Sequence, residues 1–212
     1  MTLMDSALAA SPHAGLRAVL RDETSDLHRR VERHPLLSPL IKPGLTHQAY
    51  ALVLKAFHEF YVSLEPWLLP ALRDEWPDLG RYHYQSRAAL LARDLRDLGY
   101  RPASPSARPL SCESPSELGS RGSVLGVLYV LEGATQGGSV IAPRVVRELA
   151  LSPDVGARYF HLYVDQCWDD FLALIASPSL QPCSRRAALS ARQTFLTLQV
   201  HLDHWHQVAM RS

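Results

Sequence analysis

The sequence predicts an all-α fold, on three observations. Apolar residues recur at spacings of three and four along most of the chain, with no sustained alternation of the kind a strand needs. Helix start and stop signals (Ser or Thr caps, Pro, Gly) punctuate it at helix-length intervals. The 212 residues are 47% hydrophobic and 20% charged, which excludes disorder over most of the length and suffices for a full core. That length predicts one domain, with 1–14 as a flexible N-terminal tail and 15–212 as a single helical bundle.

The first helix is expected over 15–33, where Leu16, Leu20, Thr24, Leu27 and Val31 share a face. His34-Pro35 ends it, because the residue before proline avoids the α region. Thr46 caps a second helix over 47–64, and Pro66, Pro70 and Pro77 are expected to divide the next stretch of chain into shorter pieces. A helix over 84–98 stops at Gly99, a residue suited to the left-handed C-terminal position. The Pro- and Ser-rich stretch 100–115 is a crossover loop. Ser114-Pro115-Ser116-Glu117 is a capping box that opens a glycine-rich helix running to about 149, kinked at Gly137-Gly138. Ser152-Pro153 repeats the start signal for a helix over 153–176, and a last helix covers 184–210. The count is seven or so helices.

Charge and composition exclude several classes. Lys+Arg is 22 against 21 Asp+Glu, a net charge of +1, so no dominant basic face is available and no nucleic-acid partner is expected. The longest apolar run, 122–131, is too short for a membrane span, and the N-terminus lacks the basic and apolar regions of a signal peptide. Cys112, Cys167 and Cys183 form no CxxC, which favours inert thiols in a reducing cytoplasm. A monomer is the default expectation.

Two constellations carry chemistry. On the first helix, His28 lies at the edge of the apolar stripe, with Arg21 seven residues before it on nearly the same line and Glu32 four residues after. A histidine that ligates a metal needs an acceptor on its second ring nitrogen, which Glu32 can supply, while Arg21 can meet an anionic group of the same ligand. The same spacing also suits an ordinary solvated helix edge. The second constellation is a glycine stripe. Gly126, Gly133 and Gly137 fall within about 20° of one line, and Gly122 within about 40°. Each glycine costs about 1 kcal/mol relative to alanine, so the bare face must admit something close to the backbone. A neighbouring helix and a flat ligand are equal candidates.

Taken together the segments resemble a known family. LRDETSDLHRRVERHPLL is similar to the proximal helix of haem oxygenases, GVLYVLEGATQGGSVI to the distal helix of their bacterial branch, and ARQTFLTLQVHLDHW to their last helix. The resemblance implies a single-domain all-α bundle with haem held between the first helix and a kinked glycine-rich helix. It implies His28 as the axial iron ligand with Glu32 behind it, and Gly133 and Gly137 against the distal face where O2 binds, with Ala134 between them. Arg21 and Tyr129 fall where the family holds haem propionates, and Thr24 and Gly138 complete the implied haem contacts. The implied activity is oxidative cleavage of haem to biliverdin, with release of CO and ferrous iron. Haem is then both cofactor and substrate, and electrons come from a ferredoxin-like or other reductase. A bacterial phytochrome is an expected acceptor of the product. One position departs from the eukaryotic members, which carry a carboxylate where this chain has Ala134; Gln136 or backbone groups must order distal water. Arg185, Arg186 and Arg192 are candidates for a further propionate contact.

Other readings compete with this one. A haem carrier or sensor on the same fold would bind without turnover. A thiaminase-like hydrolase would use Cys167 with Asp169 and Asp170. A di-iron oxidase would need Glu-x-x-His spacing, which is not apparent. A purely structural module leaves the glycine stripe unexplained. In the tail HLDHWH, His201 and His204 share a face, read as the solvated end of a terminal helix or as a metal-binding pair.

Overall fold

The computed structural model describes residues 15–76, 81–102, 120–165 and 167–211. These form eight α-helices: α1 (Leu16–Glu32), α2 (His47–Glu75), α3 (Arg87–Asp97), α4 (Arg121–Thr135), α5 (Gly138–Leu149), α6 (Arg158–His161), α7 (Cys167–Ile175) and α8 (Ser184–Arg211). Short 3₁₀ turns join several of them, and the described residues form no named strand. The 1–14 tail, the 103–115 part of the crossover loop with Cys112, the 114–117 capping box, and Pro77 lie outside the described residues.

The long C-terminal helix α8 organises the bundle, packing along α4, α1 and α2. Contacts rise in step along each pair. Asp26 and His28 of α1 meet Arg192 and Phe195 of α8, and Gly122 and Gly126 of α4 meet Arg186 and Ala187. Both α1 and α4 therefore run parallel to α8. The core between them is built from Leu20, Leu27, Leu125, Leu128, Leu198 and Leu202, all buried.

Three expectations about helix limits need correction. First, α2 continues through Pro66 and Pro70 to Glu75. Both prolines sit on the exposed face, where the carbonyls they leave without a donor can meet water, while Leu64, Leu68 and Leu72 hold the other face in the core. Second, α4 begins at Arg121, not at the 114–117 box; the Ser120 hydroxyl caps it by accepting from the Ser123 amide at 3.3 Å. Third, no helix starts at Pro153. The Ser152 hydroxyl does accept from the Asp154 and Val155 amides, but Gly156 then turns left-handed at φ +78° and stops the turn. The next helix starts at Arg158, where the buried Asp94 carboxylate accepts the Arg158 and Tyr159 amides.

Candidate functional site

The glycine stripe is divided between two tasks. A Cβ on Gly126 would lie 2.1 Å from the Ala187 carbonyl oxygen, and one on Gly122 would lie 3.0 Å from the Arg186 Cβ. These two glycines let α4 and α8 touch backbone to backbone. Gly133 and Gly137 do not. Among the described residues, a Cβ on Gly133 would meet only the Trp168 ring, at 3.7 Å, and one on Gly137 only the Ala134 carbonyl at 3.4 Å and Ile141 at 3.8 Å. Gly137 also has ordinary helical angles (φ −59°, ψ −24°), so its bareness frees space rather than backbone conformation. The expectation of a helix partner thus holds at one end of the stripe; at the other, among the described residues, a Cβ would make only ordinary contacts, with Trp168 at Gly133 and with its own turn at Gly137.

Gly126→Ala is therefore expected to cost about 3 kcal/mol, near the upper end for overpacking, or roughly 6–12 °C in Tm for a chain of this size. Thermal unfolding checks it.

Between Thr135 and Gly138 the chain bends by 42°. The bend is spanned by short i→i+3 bonds: Gln136 donates to Gly133, Gly137 to Ala134 and Val140 to Gly137. Gly138 belongs to a different contact. A Cβ there would lie 2.2 Å from the Phe160 carbonyl oxygen, so it packs α5 against α6 and its bareness is not spent on the open side. No single described helix is long and apolar enough to cross a membrane; α4 and α5 pass that test only together, across this bend.

The first constellation lies on α1. The His28 side chain is 54% exposed, its Nδ1 is 3.5 Å from a Glu32 carboxylate oxygen, and its ring edge meets Phe195 with centroids 5.9 Å apart. Glu32 and Phe195 thus limit the ring from two sides, and among the described residues Nε2 has no hydrogen-bond or ion-pair partner. Thr24, one turn earlier, is buried and donates to the Leu20 carbonyl at 2.7 Å. Its hydroxyl also lies close enough to Tyr129 of α4 to act on the phenol. Burial pushes the Tyr129 phenol up, and Thr24, Arg17 and Arg21 pull it back down. Arg21 is exposed, with Nε 3.1 Å from Asp22, an ion pair of the weakly held surface kind.

The Thr24–Tyr129 contact sets the geometry of the site. His28 stands four residues beyond Thr24 on α1, and Gly133 four residues beyond Tyr129 on α4. Both helices run parallel to α8, so each residue is about 6 Å further along the same direction. The candidate ligand and the bare wall therefore stand at one level of the bundle. The α7 helix touches both α1 and α4 there and brings Trp168 over Gly133; Tyr129 and Trp168 have ring centroids 6.0 Å apart.

Two residues of this neighbourhood escaped the sequence reading. Arg17 carried a signal, since it lies four residues before Arg21 on the same side. Trp168 carried none, because only tertiary packing brings α7 to the stripe. At the distal end Ala134 and Gln136 are exposed, and the Gln136 amide donates to the Thr135 hydroxyl at 3.3 Å. Among the C-terminal arginines, Arg192 is engaged by Asp26 at 3.1 Å and by the Glu23 carbonyl, Arg186 donates to the Ser123 hydroxyl at 2.9 Å, and Arg185 is exposed.

The competing readings lose ground on the same geometry. Cys167 is buried, and burial, followed by the Glu132 charge, pushes its thiol up, the opposite of an activated nucleophile. Among the described residues no three His, Cys, Asp or Glu cluster in a metal-holding arrangement, so the di-iron reading has no ligand set. His201 is 2% exposed, against the expectation of a solvated helix end. It packs on Phe60, and burial pushes its imidazole down to about 4, so it is a neutral core residue above that pH, while His204 is exposed.

Comparisons with known proteins bear on the family and the fold. The chain is 29% identical over 150 residues to a haem oxygenase of Xanthomonas campestris pv. campestris, covering 68% of this chain and 82% of that one. Its fold is similar to the crystal structure of the NO- and CO-bound haem oxygenase from Neisseria meningitidis, with TM-score 0.69, 23% identity, and 90% and 92% of the two chains covered. It is similar also to the haem oxygenase from Leptospira interrogans, with TM-score 0.67, 18% identity, and 90% and 100% covered. The family model for haem oxygenase matches residues 14–202, nearly the whole length, and the chain belongs to the haem oxygenase family.

Proposed function

We propose that haem lies between α1 and the α4–α5 bend, with its iron on His28, and is cleaved there to biliverdin with release of CO and ferrous iron. The observation that carries this placement is the glycine pair Gly133 and Gly137, where no described neighbour comes closer to a would-be Cβ than 3.4 Å, level with a histidine whose Nε2 has no partner among the described residues. The donor set fits the group: one imidazole on one side and, against the described glycines on the other, no side chain that ligates iron. Bound haem supplies the iron that activates O2, and its own ring is what is oxidised.

The chain's residues prepare that chemistry. The Glu32 carboxylate, 3.5 Å from Nδ1 of His28, is placed to draw close and accept from an Nδ1–H, which would select the tautomer with Nε2 free to ligate. Phe195 holds the imidazole plane edge-on. Arg17, Arg21 and the Tyr129 hydroxyl lie one to three turns before His28 and Gly133, where propionates would find positive charge and a donor. For Arg21 this means giving up a surface pair with Asp22, worth about 0–1 kcal/mol. The Gly133 and Gly137 wall lets a ligand on the distal face lie low toward the ring edge. With Ala134 in place of a carboxylate, hydrogen bonds on that side come from ordered water, backbone groups at the bend and Gln136. Electrons come from outside, and a ferredoxin-like or other reductase is the class of donor that would supply them.

The test is an absorption time course on haemin-loaded protein in air, after adding ascorbate with catalase present. Loss of the Soret band with growth of a broad red biliverdin absorption is expected. A Soret band that persists under every reductant tried would mean a carrier or sensor.

A further inference from the structure

A buried ion pair stands directly behind the glycine wall. Glu132 precedes Gly133, and its side chain and that of Arg87 are both 0% exposed, with Nη2 of Arg87 2.6 Å from Oε2 of Glu132. The Tyr82 hydroxyl donates to the other oxygen, Oε1, at 2.6 Å. Arg87 is itself held on several sides. It donates from Nη1 to the Gln85 carbonyl at 2.7 Å, lies over the Tyr84 ring at 4.3 Å, and gives its backbone amide to Oε1 of Glu65 at 2.7 Å. Connected holders thus run from α2, through the start of α3, to the last full turn of α4.

Stability alone gives no reason for this pair. Removing two ions from water is costly, and a packed apolar pair of similar size commonly does as well or better. What the pair adds is direction. An ion pair at 2.6 Å on one oxygen and a hydrogen bond at 2.6 Å on the other fix both the height and the rotation of α4. They do so one residue before a glycine that has no side chain of its own to hold it, and a few residues before the bend. The Glu132 carbonyl is tied as well, accepting from the buried Thr135 hydroxyl at 2.6 Å. Glu132 points about 100° away from Gly133 around the helix, so it acts on the wall through the backbone.

We propose that Glu132, Arg87 and Tyr82 are positioning residues for haem cleavage, setting the rotation and height of α4 at Gly133 and hence the clearance between the distal wall and the haem ring. The proposal rests on the haem placement above.

The test uses the double variant Arg87→Met/Glu132→Leu, which replaces the ion pair by apolar groups and leaves no buried charge alone. Its thermal midpoint is expected to stay within a few degrees of wild type. In the haem-free protein, amide hydrogen exchange over 131–141 is expected to quicken at least tenfold, with the buried stretches of α2 and α8 unchanged. In the haem-loaded protein, the pH at which the ferric visible spectrum changes is expected to move by half a unit or more. Wild-type exchange over 131–141 with an unmoved spectral midpoint would overturn the proposal and leave the pair as core filling. Tyr82→Phe, which removes one hydrogen bond and no charge, is the second variant, for which exchange over the same segment at least threefold faster is expected. Unchanged exchange there would also count against the proposal. The exchange measurement needs no haem, so failure of the wild-type chain to form a Soret complex would refute the haem placement separately.

Discussion

Replacing His28 by alanine is expected to abolish the histidine-ligated ferric Soret spectrum and to lower haem affinity by about two orders of magnitude or more, while the chain stays folded. Losing an outer partner of a metal ligand typically costs ~10–100-fold in affinity, and removing the ligand itself must exceed that. The fold should tolerate the change because the side chain is about half exposed and touches the core only through the edge of Phe195. Alanine is also the better helix former, by about 0.5 kcal/mol. Among the described residues, no neighbouring histidine of α1 is available to take over. His34, the next along the chain, is buried with both ring nitrogens engaged: Nδ1 accepts from the Leu36 amide at 3.2 Å, which leaves Nε2 to donate to Asp203 at 3.0 Å. Haem titration of the variant, followed at the Soret band, measures the effect. An unchanged spectrum would remove His28 from the site.

Much of this architecture was legible in the sequence because local signals and tertiary packing agree. The α1 helix matches its expected span to within a residue at each end, since one apolar stripe faces α8 and the His34-Pro35 stop comes directly after it. The α8 helix matches as well, and Gly99 does take a left-handed conformation, at φ +79°. Local rules failed where the packing overrode them. Pro66 and Pro70 do not break α2, because their spacing of four residues places both on the solvent side of a helix whose other face is already held. Ser152 satisfies two amides as a cap should, yet the chain turns away at Gly156.

The site was legible to a similar depth. A helical wheel gives the phase of the glycines but not their partners, so the stripe could not be divided from sequence into Gly122 and Gly126, packed on α8, and Gly133 and Gly137, which no described neighbour crowds. Gly138 looked like part of the same feature, and only the position of Phe160 separates it. Trp168, Phe195 and the Arg87–Glu132 pair depend on contacts between residues about 35–170 positions apart along the chain, which no short-range periodicity records.

That division makes Gly133→Leu the sharpest probe of the distal wall. A Cβ at this position meets only the Trp168 ring, at an ordinary contact distance of 3.7 Å, so the backbone need not move. Leaving glycine should even stabilise the helix by up to about 1 kcal/mol. The rest of the leucine side chain must then lie in the open space or push Trp168 aside. In either case it occupies the volume through which a ligand on the distal face would tilt toward the ring edge. On the proposed placement, haem affinity would depend chiefly on His28 and the propionate contacts, and should change by less than about threefold, or ~0.6 kcal/mol. Turnover should fall by tenfold or more, equivalent to at least about 1.4 kcal/mol on the barrier. Biliverdin formation rate set against Soret titration separates the two quantities. Gly126→Ala supplies the opposite pattern, with stability lost and turnover per folded, haem-loaded molecule kept. If Gly133→Leu turned over at the wild-type rate with full haem loading, the open face beside Trp168 would not be the distal wall, and the ring would have to lie elsewhere along α1.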